Sequence, residues 1–98
     1  MPRVMFSISY GIRPAERERY LGLVRELKQH VTTVGKKNYS VFEVKGKKNH
    51  FSEVFVTESV EEFDRLEDDQ DEKTEELVAR IQECVDEKGM RYTTLVEA

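Results

Sequence analysis

Apolar residues are not scattered along this chain; their spacing changes from segment to segment. Val4, Phe6, Ile8, Tyr10 and Ile12 alternate with Met5, Ser7, Ser9 and Gly11. A period of two predicts a strand with one strongly apolar face. Gly11 and Pro14 then interrupt the pattern, and Pro14 suits a first helical turn, where its missing N–H is not needed. From there Tyr20, Leu23, Val24, Leu27 and Val31 recur at helical spacing, with Glu16, Arg17, Arg19 and Lys28 on the opposite side. Thr32, Thr33 and Gly35 predict the end of this helix.

Residues 39–45 and 51–57 are both β-branched and aromatic, and the turn Gly46-Lys-Lys-Asn-His50 separates them. That is a hairpin signal. Both strands are apolar on both faces, with Val41 and Phe55 on one and Phe42, Val44, Val54 and Val56 on the other. A sheet solvated on one side would alternate more cleanly. Helices are therefore expected on one face and a second subunit on the other. Ser59-Val-Glu-Glu62 has the form of a capping box. It opens a helix whose buried side holds Phe63 and Leu66, and the run 67–72, without any apolar residue, predicts a break and a restart near Thr74. Leu77, Val78, Ile81, Cys84 and Val85 continue the apolar stripe, Gly89 is the expected stop, and 90–96 is a last strand. The order is β-α-β-β-α-β, a single α+β domain over residues 1–98 with the ferredoxin-like arrangement and both helices on one face of an antiparallel sheet.

Composition adds a highly solvated surface, with 37% charged residues against 38% hydrophobic. Net charge is −4, which disfavours a nucleic-acid binder, and the stacking aromatic pattern of an RNA-binding sheet is absent. The charge is uneven: residues 1–50 balance to +7 and residues 51–98 to −11. This reads as an acidic, solvated second helix, or as a basic surface for an anionic partner. One cysteine, no leader-like segment and no apolar run of membrane length give a cytoplasmic expectation with no membrane partner.

The stretch from Tyr39 to Asp69 is more particular. Val41-Phe-Glu-Val-Lys-Gly, then Asn49-His-Phe-Ser-Glu-Val-Phe-Val, then Thr57-Glu-Ser-Val-Glu-Glu-Phe resembles the dimeric α/β-barrel superfamily, and within it the antibiotic-biosynthesis-monooxygenase-like domains. The resemblance implies a homodimer whose sheets pack face to face, with a small pocket between each sheet and its own helices. In members that oxidise aromatic polyketides or open haem, an Asn on the first strand, a Trp after the third and a His on the second helix line that pocket. Here the first strand offers Ser7 and Ser9, the Trp position falls on Thr57 and the His position near Leu66; the chain has no tryptophan. With those pocket residues absent, no haem or other cofactor is expected. The Thr57 side is expected to face the pocket, leaving the Val4/Phe6/Ile8/Tyr10 face for the dimer.

Among residues able to carry chemistry, Glu43 and Glu53 come first. A hairpin closed symmetrically around Lys48 sets them opposite each other, on the face of Tyr39, Val41, Phe55 and Thr57. Opposed like charges need compensation, from Arg91, Lys45, a shared proton or a cation. The pair reads as ligand-binding or acid–base carboxylates, or as a solvated pair at the sheet edge, or as a register slipped by two residues. Ser7, Ser9, Tyr39 and Tyr92 are polar groups able to line the same pocket, or ordinary strand residues with satisfied hydroxyls. His30 and His50 with Cys84 make no zinc pattern, and no metal is expected. Cys84 reads as a buried inert thiol. The first reading is a homodimeric barrel holding a small organic ligand. The alternatives are a cofactor-independent monooxygenase or isomerase using Glu43 or Glu53 as base, and an interaction or oligomerisation domain.

Overall fold

The computed structural model describes residues 2–66, 68 and 70–98. Strand β1 spans Val4–Gly11, β2 Asn38–Glu43, β3 His50–Thr57 and β4 Arg91–Val96. They form one antiparallel sheet in the order β2-β3-β1-β4. A short 3-10 turn at Pro14–Glu16 leads into helix α1, Arg17–Thr33, and the second helical region is split into α2, Val60–Asp64, and α3, Glu72–Gln82. The break falls in the expected polar run, of which positions 67 and 69 lie outside the described residues. The restart is capped: Asp71 accepts from the Thr74 amide at 2.8 Å. Ser59 likewise accepts from the Glu62 amide at 3.1 Å, and the Glu62 carboxylate reaches back to the Glu58 amide.

Sheet pairing decides which side chains share a face. Val4, Phe6, Ile8 and Tyr10 stand opposite Thr57, Phe55, Glu53 and Phe51 on β3. Tyr39 stands opposite Phe55, and Tyr92 opposite Ile8. This face meets the helices. Tyr20, Val24, Leu27 and Val31 of α1 and Leu77 and Ile81 of α3 close a core over Tyr10, Ile12, Tyr39 and Phe51. Burial of this apolar surface is the main stabilising term of the fold, at roughly 25 cal/mol per Å².

Three expectations are corrected by these contacts. The Val4/Phe6/Ile8/Tyr10 face is not left open for a second subunit; it is the helix-covered face, and it is the same face as Thr57, because Val4 and Thr57 are partners. The open face carries Met5, Ser7, Ser9, Phe42, Val54, Val56 and Leu95 instead. Second, Glu43 does not face Glu53. The hairpin closes on Val44 and His50, whose amide–carbonyl bond is 2.8 Å, so it is centred on residue 47 rather than 48. Glu43 therefore pairs with Phe51, and Glu53 with Val41. The loop turns through Gly46 and Asn49, both with positive φ, the latter a residue type that tolerates this region. Third, α3 stops at Gln82, ahead of Gly89. Val85 leaves the helix to form a bridge with Ile12, and Cys84 is fully buried just past the helix end.

A cavity between sheet and helices with a buried carboxylate

The split between α2 and α3 leaves space above the sheet. A cavity of about 680 Å³ opens there, within the range that small organic ligands occupy. Its sheet side is formed by Phe6, Ile8, Glu53, Phe55 and Tyr92. Leu27 and Val31 of α1 bound it on one side, with Thr74, Val78 and Ile81 of α3 on another. Phe63, Asp64 and Leu66 close the end beneath α2. Phe6 is the centre of an aromatic group, its ring centroid 6.5 Å from Phe55, 5.7 Å from Phe63 and 6.1 Å from a stacked Tyr92.

Glu53 is the polar member of that wall and is 5% exposed. Its two oxygens are held from both sides. Tyr10 Oη donates to Oε2 at 2.6 Å, and Tyr39 Oη to Oε1 at 2.5 Å. Behind Tyr10, the Tyr20 hydroxyl lies 2.7 Å away. Since Tyr10 gives its proton to Glu53, Tyr20 must be the donor to Tyr10, and the chain of hydroxyls is polarised toward the carboxylate. Tyr39 sits diagonally from Glu53 on β2 and Tyr10 diagonally on β1, which is why both reach it. Loss of solvent raises the proton affinity of Glu53, and the two tyrosine bonds oppose that rise without cancelling it. Burial and the neighbouring Glu53 charge push the Tyr10 and Tyr39 hydroxyls far up, so both remain donors.

Glu43 has a different environment. Arg17 grips it with two nitrogens at 2.7 and 3.0 Å, and the Asn49 amide adds a bond at 3.0 Å. The Arg17 guanidinium, with the Asn49 amide, holds its carboxyl at about 2, well below the usual carboxylate range. On the cavity wall His30 Nε2 meets Asp71 Oδ2 at 2.7 Å, tying the end of α1 to the cap of α3. The Thr74 amide first, then the Thr74 and His30 side chains, hold Asp71 at about 2.

Of the residues singled out from sequence, Glu53, Phe55 and Tyr92 line the cavity, and Tyr39 supports it through Glu53. Thr57 is on the same face but buried beyond the cavity, its hydroxyl bonded to the Ser59 carbonyl at 3.0 Å. Glu43 shares the face and stands at the hairpin end. Ser7 and Ser9 point to the other face, where Ser9 and Ser52 share a 2.8 Å hydrogen bond. The sequence reading missed Tyr10 and Tyr20 as part of the polar network. Their signal was present, because a tyrosine inside an apolar stripe must bring its hydroxyl to a buried partner. Among the described residues no group of three histidine, cysteine, aspartate or glutamate side chains is placed to hold a metal ion, and no helix is long and apolar enough to cross a membrane.

No family model and no curated protein matches the chain. Solved structures do. A conserved protein from Methanosarcina mazei superposes with a TM-score of 0.85 at 11% identity, covering 100% of this chain and 95% of that one. A cofactor-independent oxygenase from Streptomyces nogalater gives 0.73 at 10% identity over 95% and 90% of the two chains. An antibiotic biosynthesis monooxygenase gives 0.70 at 22% identity over 100% and 97%. At these identities the likeness is one of fold, and the chain has the ferredoxin-like fold of the antibiotic-biosynthesis-monooxygenase-like proteins.

Proposed function

We propose that this protein is a homodimer that holds a small, largely apolar organic ligand between its sheet and its helices. The observation that carries the reading is the cavity itself: about 680 Å³, walled mainly by aromatic and aliphatic side chains, with one buried carboxylate. Concave apolar sites with few fixed polar groups are the usual form of small-molecule pockets. The homodimer rests on the open sheet face, where Met5, Phe42 and Leu95 are 42%, 59% and 54% exposed. Together with Val54 and Val56 they form an apolar surface on a domain this small, which is the mark of an interaction site. A second copy of the chain is the occupant that the resemblance to the dimeric α/β-barrel domains implies.

Native mass spectrometry on protein purified gently from its own host tests this. The reading expects a dimer of twice the 11.5 kDa chain mass carrying a small-molecule adduct. A monomer that neither carries an adduct nor takes up any member of a broad panel of apolar compounds contradicts it.

A catalytic reading is supported by one specific observation, the raised proton affinity of Glu53. A carboxylate whose affinity is moved toward neutrality can take a proton from an acidic C–H or O–H of a ligand and return it at another atom, as an isomerase or a cofactor-independent oxygenase requires. Loss of turnover in Glu53→Gln at saturating ligand is the expected signature.

A further inference from the structure

Glu53 is nearly buried and is held by neutral donors only: two tyrosine hydroxyls contact it, and among the described residues no lysine, arginine or histidine pairs with it. A buried carboxylate without a counterion is costly. Here the hydroxyl bonds from Tyr10 and Tyr39 support the ionised form, and among the described residues no cation neutralises it. The cavity wall around Glu53 is aromatic, with Phe6 touching Phe55, Phe63 and Tyr92. Aromatic faces beside a lone carboxylate suit an organic cation, which the rings attract through their quadrupoles. The remaining ionisable groups on the wall are Asp64, Asp71, His30 and Lys37, with His30 engaged by Asp71. With Glu53, Asp64 and Asp71 the described wall carries three carboxylates against Lys37 and His30, a balance that disfavours anions.

Resting on the ligand-binding reading above, we infer that the ligand of this cavity is an aryl-alkyl ammonium ion, whose charged nitrogen supplies the counterion that Glu53 lacks. The neutral alcohol of the same shape fills the cavity without that interaction, and the corresponding carboxylate is excluded by charge.

The test is calorimetric titration of the intact protein with 2-naphthylmethylamine, 2-naphthylmethanol and 2-naphthoate at pH 8, repeated toward pH 4.5. The inference expects the amine to bind at least tenfold more tightly than the alcohol at pH 8, with naphthoate weakest. Its advantage shrinks as Glu53 takes up a proton on acidification, while the alcohol, which reports the cavity alone, changes little. In Glu53→Gln the amine loses about tenfold and the alcohol stays within threefold. If the alcohol matches or exceeds the amine in the wild-type protein, or the amine is insensitive to both pH and Glu53→Gln, the cation inference is overturned and the cavity reading stands. If none of the three binds, the cavity reading falls with it. The wild-type comparison decides the matter even where the variant fails to fold.

Discussion

The Tyr39 hydroxyl stands 2.5 Å from Glu53 Oε1, reaching diagonally from β2 to a carboxylate that is 5% exposed on β3. The bond joins a buried carboxylate to a buried donor. Replacing Tyr39 by phenylalanine keeps the ring packed on Phe55, 4.6 Å between centroids, and removes only that donor. A buried acceptor losing a partner costs about 1–3 kcal/mol. Urea unfolding should show Tyr39→Phe destabilised by that order at pH 8, and by less at pH 4, below the ordinary carboxylate value that Glu53 exceeds, where a protonated Glu53 needs the donor less. An equal loss at both values would mean that the bond does not serve the charged form.

Glu53 itself sets an alkaline-side dependence. Its folded proton affinity is raised above the ordinary value of 4.5, so the folded state binds the proton more tightly than the unfolded chain does. The contribution to stability is complete below pH 4.5 and is lost as pH rises through the folded pKa. Glu53→Gln has nearly the same volume and cannot ionise. Thermal unfolding between pH 4.5 and 8 should therefore fall more steeply with pH in the wild type than in Glu53→Gln. Parallel profiles would contradict the assignment.

Glu43 and Asp71 act in the opposite sense. Both are held at about 2, so each stabilises the fold above its unfolded value and loses that effect as pH falls from the usual carboxylate range toward 2. Arg17→Met should flatten part of this acid limb by freeing Glu43, and its effect should vanish near pH 2. Melting curves collected from pH 2 to 5 read this directly. Both carboxylates are solvated, so the amplitude is modest.

How much of this was legible in the residues differs from level to level. The strands, the helices and their order followed from spacing alone, because Val4 to Ile12 has period two and Tyr20 to Val31 has the period of a helix. The polar run after Leu66 announced the break between α2 and α3. The hairpin register did not follow, because a loop of five residues rich in lysine and asparagine can be centred on 47 or 48, and only the Val44–His50 bond and the positive φ of Gly46 and Asn49 decide it. That one-residue shift of the centre moves Glu43 two places along β3, away from Glu53 and toward Arg17. Glu53 was singled out for the right face and the wrong partner. Of its true partners, Tyr39 was already named as a polar group of the same pocket, while Tyr10 was hidden in an apolar stripe, where a tyrosine looks like any other large ring. Which face the helices cover was also not legible, since both faces are apolar and the balance lies in Met5, Val54, Val56 and Leu95 being fewer and more exposed than the core set.

The open face makes its own prediction. Leu95 and Phe42 are exposed on strands at opposite edges of the sheet. Leu95→Glu combined with Phe42→Asp places two charges on the proposed dimer surface without touching the core. Light scattering should show the wild type as a dimer and the double variant as a folded monomer, with its circular dichroism unchanged. A wild type that is monomeric at tens of micromolar would remove the dimer from the account.

The central claim is that the space between sheet and helices is a ligand site. Backbone and methyl NMR spectra recorded during titration with 2-naphthylmethanol test it most directly. The account predicts saturable shifts centred on Leu27, Val31, Phe55, Thr74 and Val78, around the cavity and away from the open face. No saturable shift, or shifts centred on Met5, Val54, Val56 and Leu95, would contradict it.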